Sequence, residues 1–224
     1  MNITFKRQLI FVMLMLLGCF YAKADDGLIT QQITIKLDEA GTLPNKIENS
    51  QKYKITNLKI IGDINGTDIR MIRDMAGRDY NGKKTSGELS TLDLSEARIV
   101  AGGNLYFNPN DDDYKPSNFT DQIGNYTFYK CEKITNVTLP NNITKIGYSA
   151  FKDCTGLTSI NIPECVTEIG ENAFYGCTGL TNINIPNSVT HICNSAFEDC
   201  TGLTNINIPN SVTQIGNSAF SSCI

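Results

Sequence analysis

Over the second half of the chain, apolar residues return at the same offsets every 23 positions. Residues 157–179 read LTSINIPECVTEIGENAFYGCTG, residues 180–202 read LTNINIPNSVTHICNSAFEDCTG and residues 203–223 read LTNINIPNSVTQIGNSAFSSC. A more divergent copy, ITNVTLPNNITKIGYSAFKDCTG, occupies 134–156. Within a unit, Leu157, Ile160 and Ile162 share one face of a short strand, and Pro163 ends it because proline has no N–H to give to a ladder. Val166 and Ile169 predict a second extended piece facing inward, followed by a turn at Gly170. Ala173, Phe174 and Cys177 then form the inner face of one irregular helical turn that returns the chain to the next strand. One such unit buries too little apolar surface to offset its ordering entropy, so the units must stack and share a core. The expected columns are Leu157, Leu180, Leu203; Ile160, Ile183, Ile206; Ile162, Ile185, Ile208; and Phe151, Phe174, Phe197, Phe220.

The pattern extends backwards in weaker form. The segment from Ile123 to Cys131 aligns with that from Ile146 to Cys154 as a half repeat, and its missing strand is found at Leu89, Leu92 and Leu94. This makes residues 89–133 a divergent unit carrying a long insertion at 95–122. Ile55, Leu58 and Ile60 are a fainter strand copy. Between these strands, Asn65 is placed to cap a helix with Ile69, Ile72 and Ala76 on one face and Gly77 as its stop. Residues 25–88 therefore read as an N-terminal cap of alternating strand and helix, and 134–224 as the regular repeats. The last unit breaks off at Cys223 and Ile224, which raises the expectation of an open apolar end face able to associate end-on.

Export is predicted at the other end. Lys6 and Arg7 precede an apolar run to Ala22, and Ala22-Lys23-Ala24 is a small-x-small cleavage site, so residues 1–24 read as a signal peptide. The run falls short of the ~20 residues a spanning helix needs. Leu16-Leu17-Gly18-Cys19 resembles a lipobox, which leaves open a lipid anchor on Cys19. Without residues 1–24 the chain carries 16 basic against 23 acidic side chains, a formal charge of −7. That balance lacks the basic footprint of a nucleic-acid or anionic-membrane binder.

A unit with proline after the strand, Ile-Gly in the middle and Ala-Phe-x-x-Cys before the next leucine resembles the BspA-like leucine-rich repeat family of bacterial and some protist surface proteins. The likeness covers residues 123–223, and the stretch from Asn65-Gly66-Thr67-Asp68-Ile69 to Leu92-Asp93-Leu94-Ser95 looks like the N-terminal region of members from host-associated bacteria. The resemblance implies a right-handed leucine-rich repeat solenoid of short β-strands with irregular or 3-10 helical returns and an α+β cap. It also implies adhesion to host matrix proteins or other cells, without catalytic residues. Members usually carry many more repeats, and often a C-terminal sorting or anchoring region.

The residues that bear chemistry point the same way. Cys131, Cys154, Cys177, Cys200 and Cys223 form one column whose spacing, about 5 Å per repeat, is within disulfide reach. Parallel Cβ vectors suit that bond poorly, so buried reduced thiols are expected. No CxxC pair occurs and a line of single sulfurs does not surround a metal ion, so no cofactor or metal is expected. Cys165 and Cys193 depart from the pattern, standing where later copies have Ser188 and Ser211 or other copies have Gly147, Gly170 and Gly216. His191, the one histidine, takes the place of Glu168 and Gln214 and should face solvent, which argues against an enzyme. Asp111, Asp112 and Asp113 offer oxygens for calcium but without EF-hand spacing, and read as a solvated run.

Two surfaces remain for binding. The insertion places Tyr106, Phe107, Tyr114 and Phe119 on a long loop expected to project from a rigid scaffold. The outward strand positions Asn161, Asn182, Asn184, Asn205 and Asn207, with Thr158, Thr181 and Thr204, make polar ladders suited to an extended protein or glycan ligand. The expected function is therefore a secreted or cell-surface, adhesin-like binding protein, with end-on assembly as the alternative.

Overall fold

The computed structural model describes residues 27–108 and 120–223. Two parallel sheets run along it. The first takes β1 (Ile33–Lys36), β2 (Asn57–Ile64), β3 (Thr91–Ile99), β5 (Asn136–Thr138) and β7 (Ser159–Asn161) in that order. Single bridges from Asn161 to Asn184 and from Asn184 to Asn207 carry the same ladder into the last repeats. The second sheet is made of two-residue strands, β4 (Gln122–Ile123), β6 (Lys145–Ile146), β8 (Glu168–Ile169), β9 (His191–Ile192) and β10 (Gln214–Ile215), stacked in that sequence. This is the leucine-rich repeat architecture, with each 23-residue unit giving one rung to each sheet.

The rungs align column by column. Leu58, Leu92, Val137 and Ile160 are partners across the first sheet, and Ile146, Ile169, Ile192 and Ile215 across the second. Phe128, Phe151, Phe174, Phe197 and Phe220 stack with centroids 5.1–5.3 Å apart, and the last four rings are parallel within 5°. That separation is the strand spacing imposed on the rings. Between the sheets the return is a chain of i to i+3 bonds, such as Tyr175 N–H to Asn172 and Cys177 N–H to Phe174. Each return needs left-handed backbone at the position of Tyr126, Ser149, Asn172, Ser195 and Ser218, where φ is 50–59°. Small polar residues tolerate this region best, so the tyrosine in the first unit stands out.

Ahead of the repeats, α1 (Leu43–Lys46) packs on α2 (Gly66–Met75), and α2 packs against the long strand β2. Asn65 accepts from the Thr67 N–H while Asp68 accepts from the Asn65 N–H, a reciprocal cap. Fully buried Asp68 also accepts from the N–H groups of Gly41 and Leu43, tying α1 to the start of α2.

One expectation is corrected in extent. Residues 95–99 do not belong to the insertion, because β3 continues to Ile99 and pairs Glu96–Ile99 with Ile61–Ile64 after a register shift. The alternation that buries Ala97 and Ile99 keeps them in the sheet, and the excursion begins at Val100.

Candidate ligand-binding surfaces

The polar ladder lies where the repeat puts it. Asn161, Asn182, Asn184, Asn205 and Asn207 are all exposed on the outer side of the first sheet. Asn161, Asn184 and Asn207 pair in register, so their side chains repeat at strand spacing along a straight line. The threonines beside them have a different task. Thr56, Ser90, Thr135 and Thr158 each donate a hydroxyl to the carbonyl one rung back, at 3.0–3.2 Å. On the second sheet Thr144, Thr167, Thr190 and Thr213 do the same at 3.2–3.3 Å. In these rungs the hydroxyl is engaged by the ladder, while the asparagine amides stay exposed beside Ser159, Thr181 and Thr204.

On the second sheet Lys145, Glu168, His191 and Gln214 stand in register, and a shallow groove of about 770 Å³ runs over them. Lys145 pairs with Glu168 at 2.8 Å, and His191 Nδ1 lies 2.7 Å from the Thr190 hydroxyl. The Cys193 thiol faces Glu168 Oε1 at 3.8 Å. Partial burial, followed by the charge of Glu168, pushes this thiol up, which holds it protonated and opposes its use as a nucleophile.

The cysteine column is a column of free thiols. Cys154, Cys177, Cys200 and Cys223 donate S–H to the carbonyls of Phe128, Phe151, Phe174 and Phe197, at 2.9–3.2 Å. Burial raises Cys154 and Cys177 well above the ordinary thiol value and pushes Cys200 up to about 12. Among the described residues no group of histidines, cysteines and carboxylates is placed to hold a metal ion.

Tyr106 and Phe107 correct the picture of a projecting aromatic loop, being 1% and 5% exposed. They pack with Ile69, Tyr126, Tyr129 and Tyr148 in a second apolar cluster between the cap and the first two repeats. The reason lies in the backbone ladder of the returns. The amides of Tyr126, Phe128 and Lys130 donate forward to the carbonyls of Tyr148, Ala150 and Lys152, and the next three returns repeat this. The matching carbonyls of the first unit, on Asn125, Thr127 and Tyr129, have no earlier repeat to serve them. The Tyr106 hydroxyl donates to Asn125 at 2.7 Å, and Arg73 Nη1 to Thr127 at 3.1 Å and Tyr129 at 3.4 Å. Beside them, Arg78 Nε donates to the Lys130 carbonyl. Arg73 had a sequence signal: it is four residues after Ile69 and three before Ala76, a charge on the apolar face of its helix. Tyr114, Phe119, the acidic run at 111–113 and Cys19 lie outside the described residues.

Within the described residues no helix is long and apolar enough to cross a membrane. Residues 115–224 match the family model described as the BspA type leucine-rich repeat region, in six copies. No curated protein matches the chain. Among solved structures, a leucine-rich repeat protein of T. pallidum is 36% identical over 44% of this chain and 46% of its own, with TM-score 0.42. One from Bacteroides ovatus is 26% identical over 76% of this chain and 36% of its own, TM-score 0.48. A leucine-rich cell surface protein of Faecalibacterium prausnitzii is 27% identical over 72% and 40%, TM-score 0.41. The chain spans less than half the length of each of these three.

Proposed function

Since residues 115–224 of this chain are a BspA-type leucine-rich repeat region, we propose that it is an exported, non-catalytic binding protein of the cell surface, adhesin-like, that holds a protein ligand along its first sheet. The observation that carries this reading is the in-register line of exposed asparagines at 161, 184 and 207, flanked by Asn182 and Asn205. An amide offers both donor and acceptor, and repeats them at the inter-strand spacing of the sheet, about 4.8 Å. Such a surface binds by many weak, additive contacts rather than through one anchor, since it lacks the Tyr, Trp and Arg that dominate tight interfaces. The charged run at Lys6-Arg7 and the apolar stretch after it support export, by either cleavage route.

The test is binding of residues 25–224 to immobilised extracellular matrix proteins and to whole cells, beside a variant with Asn161, Asn184 and Asn207 changed to lysine. Binding by the native chain and its loss in the variant, with an unchanged melting curve, is the expected result. Equal binding by both would remove the ladder from the interface, and no binding by either would sink the adhesin reading.

A further inference from the structure

Between the cap and the first two repeats lies an open cleft of about 520 Å³, within the size range of small-ligand sites. Phe107, Tyr126, Tyr129 and Tyr148 form its aromatic wall, with neighbouring centroids 5.2–5.6 Å apart. Lys130 and Lys152 stand on its rim, and no carboxylate occurs among its described lining residues. Neither lysine has an ion-pair partner among the described residues. Their ammonium groups rest instead on Tyr129 at 5.1 Å and Tyr175 at 4.3 Å from the ring centroids. Behind the wall, fully buried Arg73 lies 4.8 Å from the Phe107 centroid, and its Nε and Nη2 have no hydrogen-bond partner among the described residues. In a chain of net negative charge, the charged side chains among the cleft's described lining residues are both cationic.

A second, independent observation points into the cleft. Ser149 lines it, is 1% exposed, and its Oγ has no hydrogen-bond partner among the described residues. A buried hydroxyl without a partner is costly and rare, and a ligand hydroxyl would satisfy it. The repeat itself does not explain these residues. The positions of Tyr129, Lys130, Tyr148 and Lys152 are held one unit on by Lys152, Asp153, Glu171 and Tyr175, and further along by Glu198, Asp199 and Asn194, so the fold accepts quite different side chains there.

We propose that this cleft binds an acidic saccharide, a sugar unit carrying a carboxylate or sulfate. Ring C–H faces fit the tyrosine wall, the anionic group meets Lys130 and Lys152, and ring hydroxyls reach Ser149 and the exposed amides of Asn81 and Asn108. The site is separate from the asparagine ladder, so its failure would leave the ladder reading intact.

Calorimetric titration of residues 25–224 with three oligosaccharides of equal length, one of uronic acids, one sulfated and one neutral, tests it and separates the two acidic sources. At least one acidic probe should bind at least about tenfold more tightly than the neutral one, and more weakly as salt is added. The double variant Tyr148→Asn, Lys152→Glu takes its residues from Asn194 and Glu198 of the same chain, so it should keep the melting curve and lose binding by at least about tenfold. Ser149→Ala should weaken binding about fivefold. Equal affinity for neutral and acidic probes, wild-type binding by the double variant, or equal displacement of the acidic probe by a polyglutamate peptide would overturn the proposal.

Discussion

The guanidinium of Arg73 donates from Nη1 to the carbonyl of Thr127 at 3.1 Å, the place that a backbone amide fills in every later repeat. Arg73 also serves Tyr126 and Tyr129, so one side chain closes most of the open end of the return ladder. A solenoid is a row of units that satisfy their neighbours, and its first unit needs a substitute neighbour.

Removing that substitute should therefore cost more than an ordinary surface change. Arg73→Leu is expected to destabilise the chain by about 3 kcal/mol, because buried carbonyls lose their donor. Tyr106→Phe, which deletes only the hydroxyl on Asn125, should cost about 1 kcal/mol. Urea unfolding checks both, and hydrogen exchange should show the loss as opening at residues 124–131 rather than in the later repeats.

The phenylalanine column is the continuous part of the core. Phe174 is fully buried between Phe151 and Phe197, so Phe174→Ala should cost about 3–5 kcal/mol. Because each unit touches only its neighbours, the unfolding transition should also broaden as the two sides uncouple. A sharp, single transition at unchanged midpoint would contradict the shared core.

Burial also determines the chemistry of the thiols. In the folded chain at mild alkaline pH, iodoacetamide should label exposed Cys165 quickly and leave Cys154, Cys177 and Cys200 unlabelled until unfolding, as peptide mapping by mass spectrometry would show.

The same shifts set a pH limit. Cys200 is pushed from an ordinary value of 9.0 up to about 12, so its folded form holds a proton that the unfolded form releases. Its contribution is complete below pH 9.0 and disappears as the pH rises toward about 12. Cys154 and Cys177, raised for the same reason, add in the same direction, so melting temperature should fall progressively above pH 9.0. Flat stability through that range would argue that the thiols are not buried as described.

Asp68 joins two helices through one carboxylate. Asp68→Ala removes the acceptor for the N–H groups of Gly41, Leu43 and Asn65, and should cost about 2–3 kcal/mol by denaturant titration. Asp68→Asn should recover part of this loss.

The repeat, its two strands per unit, most of the inward columns and the outward asparagines are legible in the amino-acid pattern. A side chain's inward or outward facing in a periodic structure follows from local alternation, and the same choice recurs in each copy. Asn65, Ile69 and Gly77 also announced the cap helix, through local capping and periodicity. What only the tertiary structure decided is what happens where the period stops. Tyr106 and Phe107 follow a glycine pair in a segment without alternation, so nothing local distinguishes a projecting aromatic from a buried one. They are buried where the Tyr106 hydroxyl serves the Asn125 carbonyl and Phe107 packs on Tyr126 and Tyr129, about 20 residues away along the chain. Stacking of the first two repeats brings Tyr126, Tyr129, Lys130, Tyr148, Ser149 and Lys152 together, while Phe107, Asn81 and Asn108 close the cleft from outside the period, where the pattern leaves no trace.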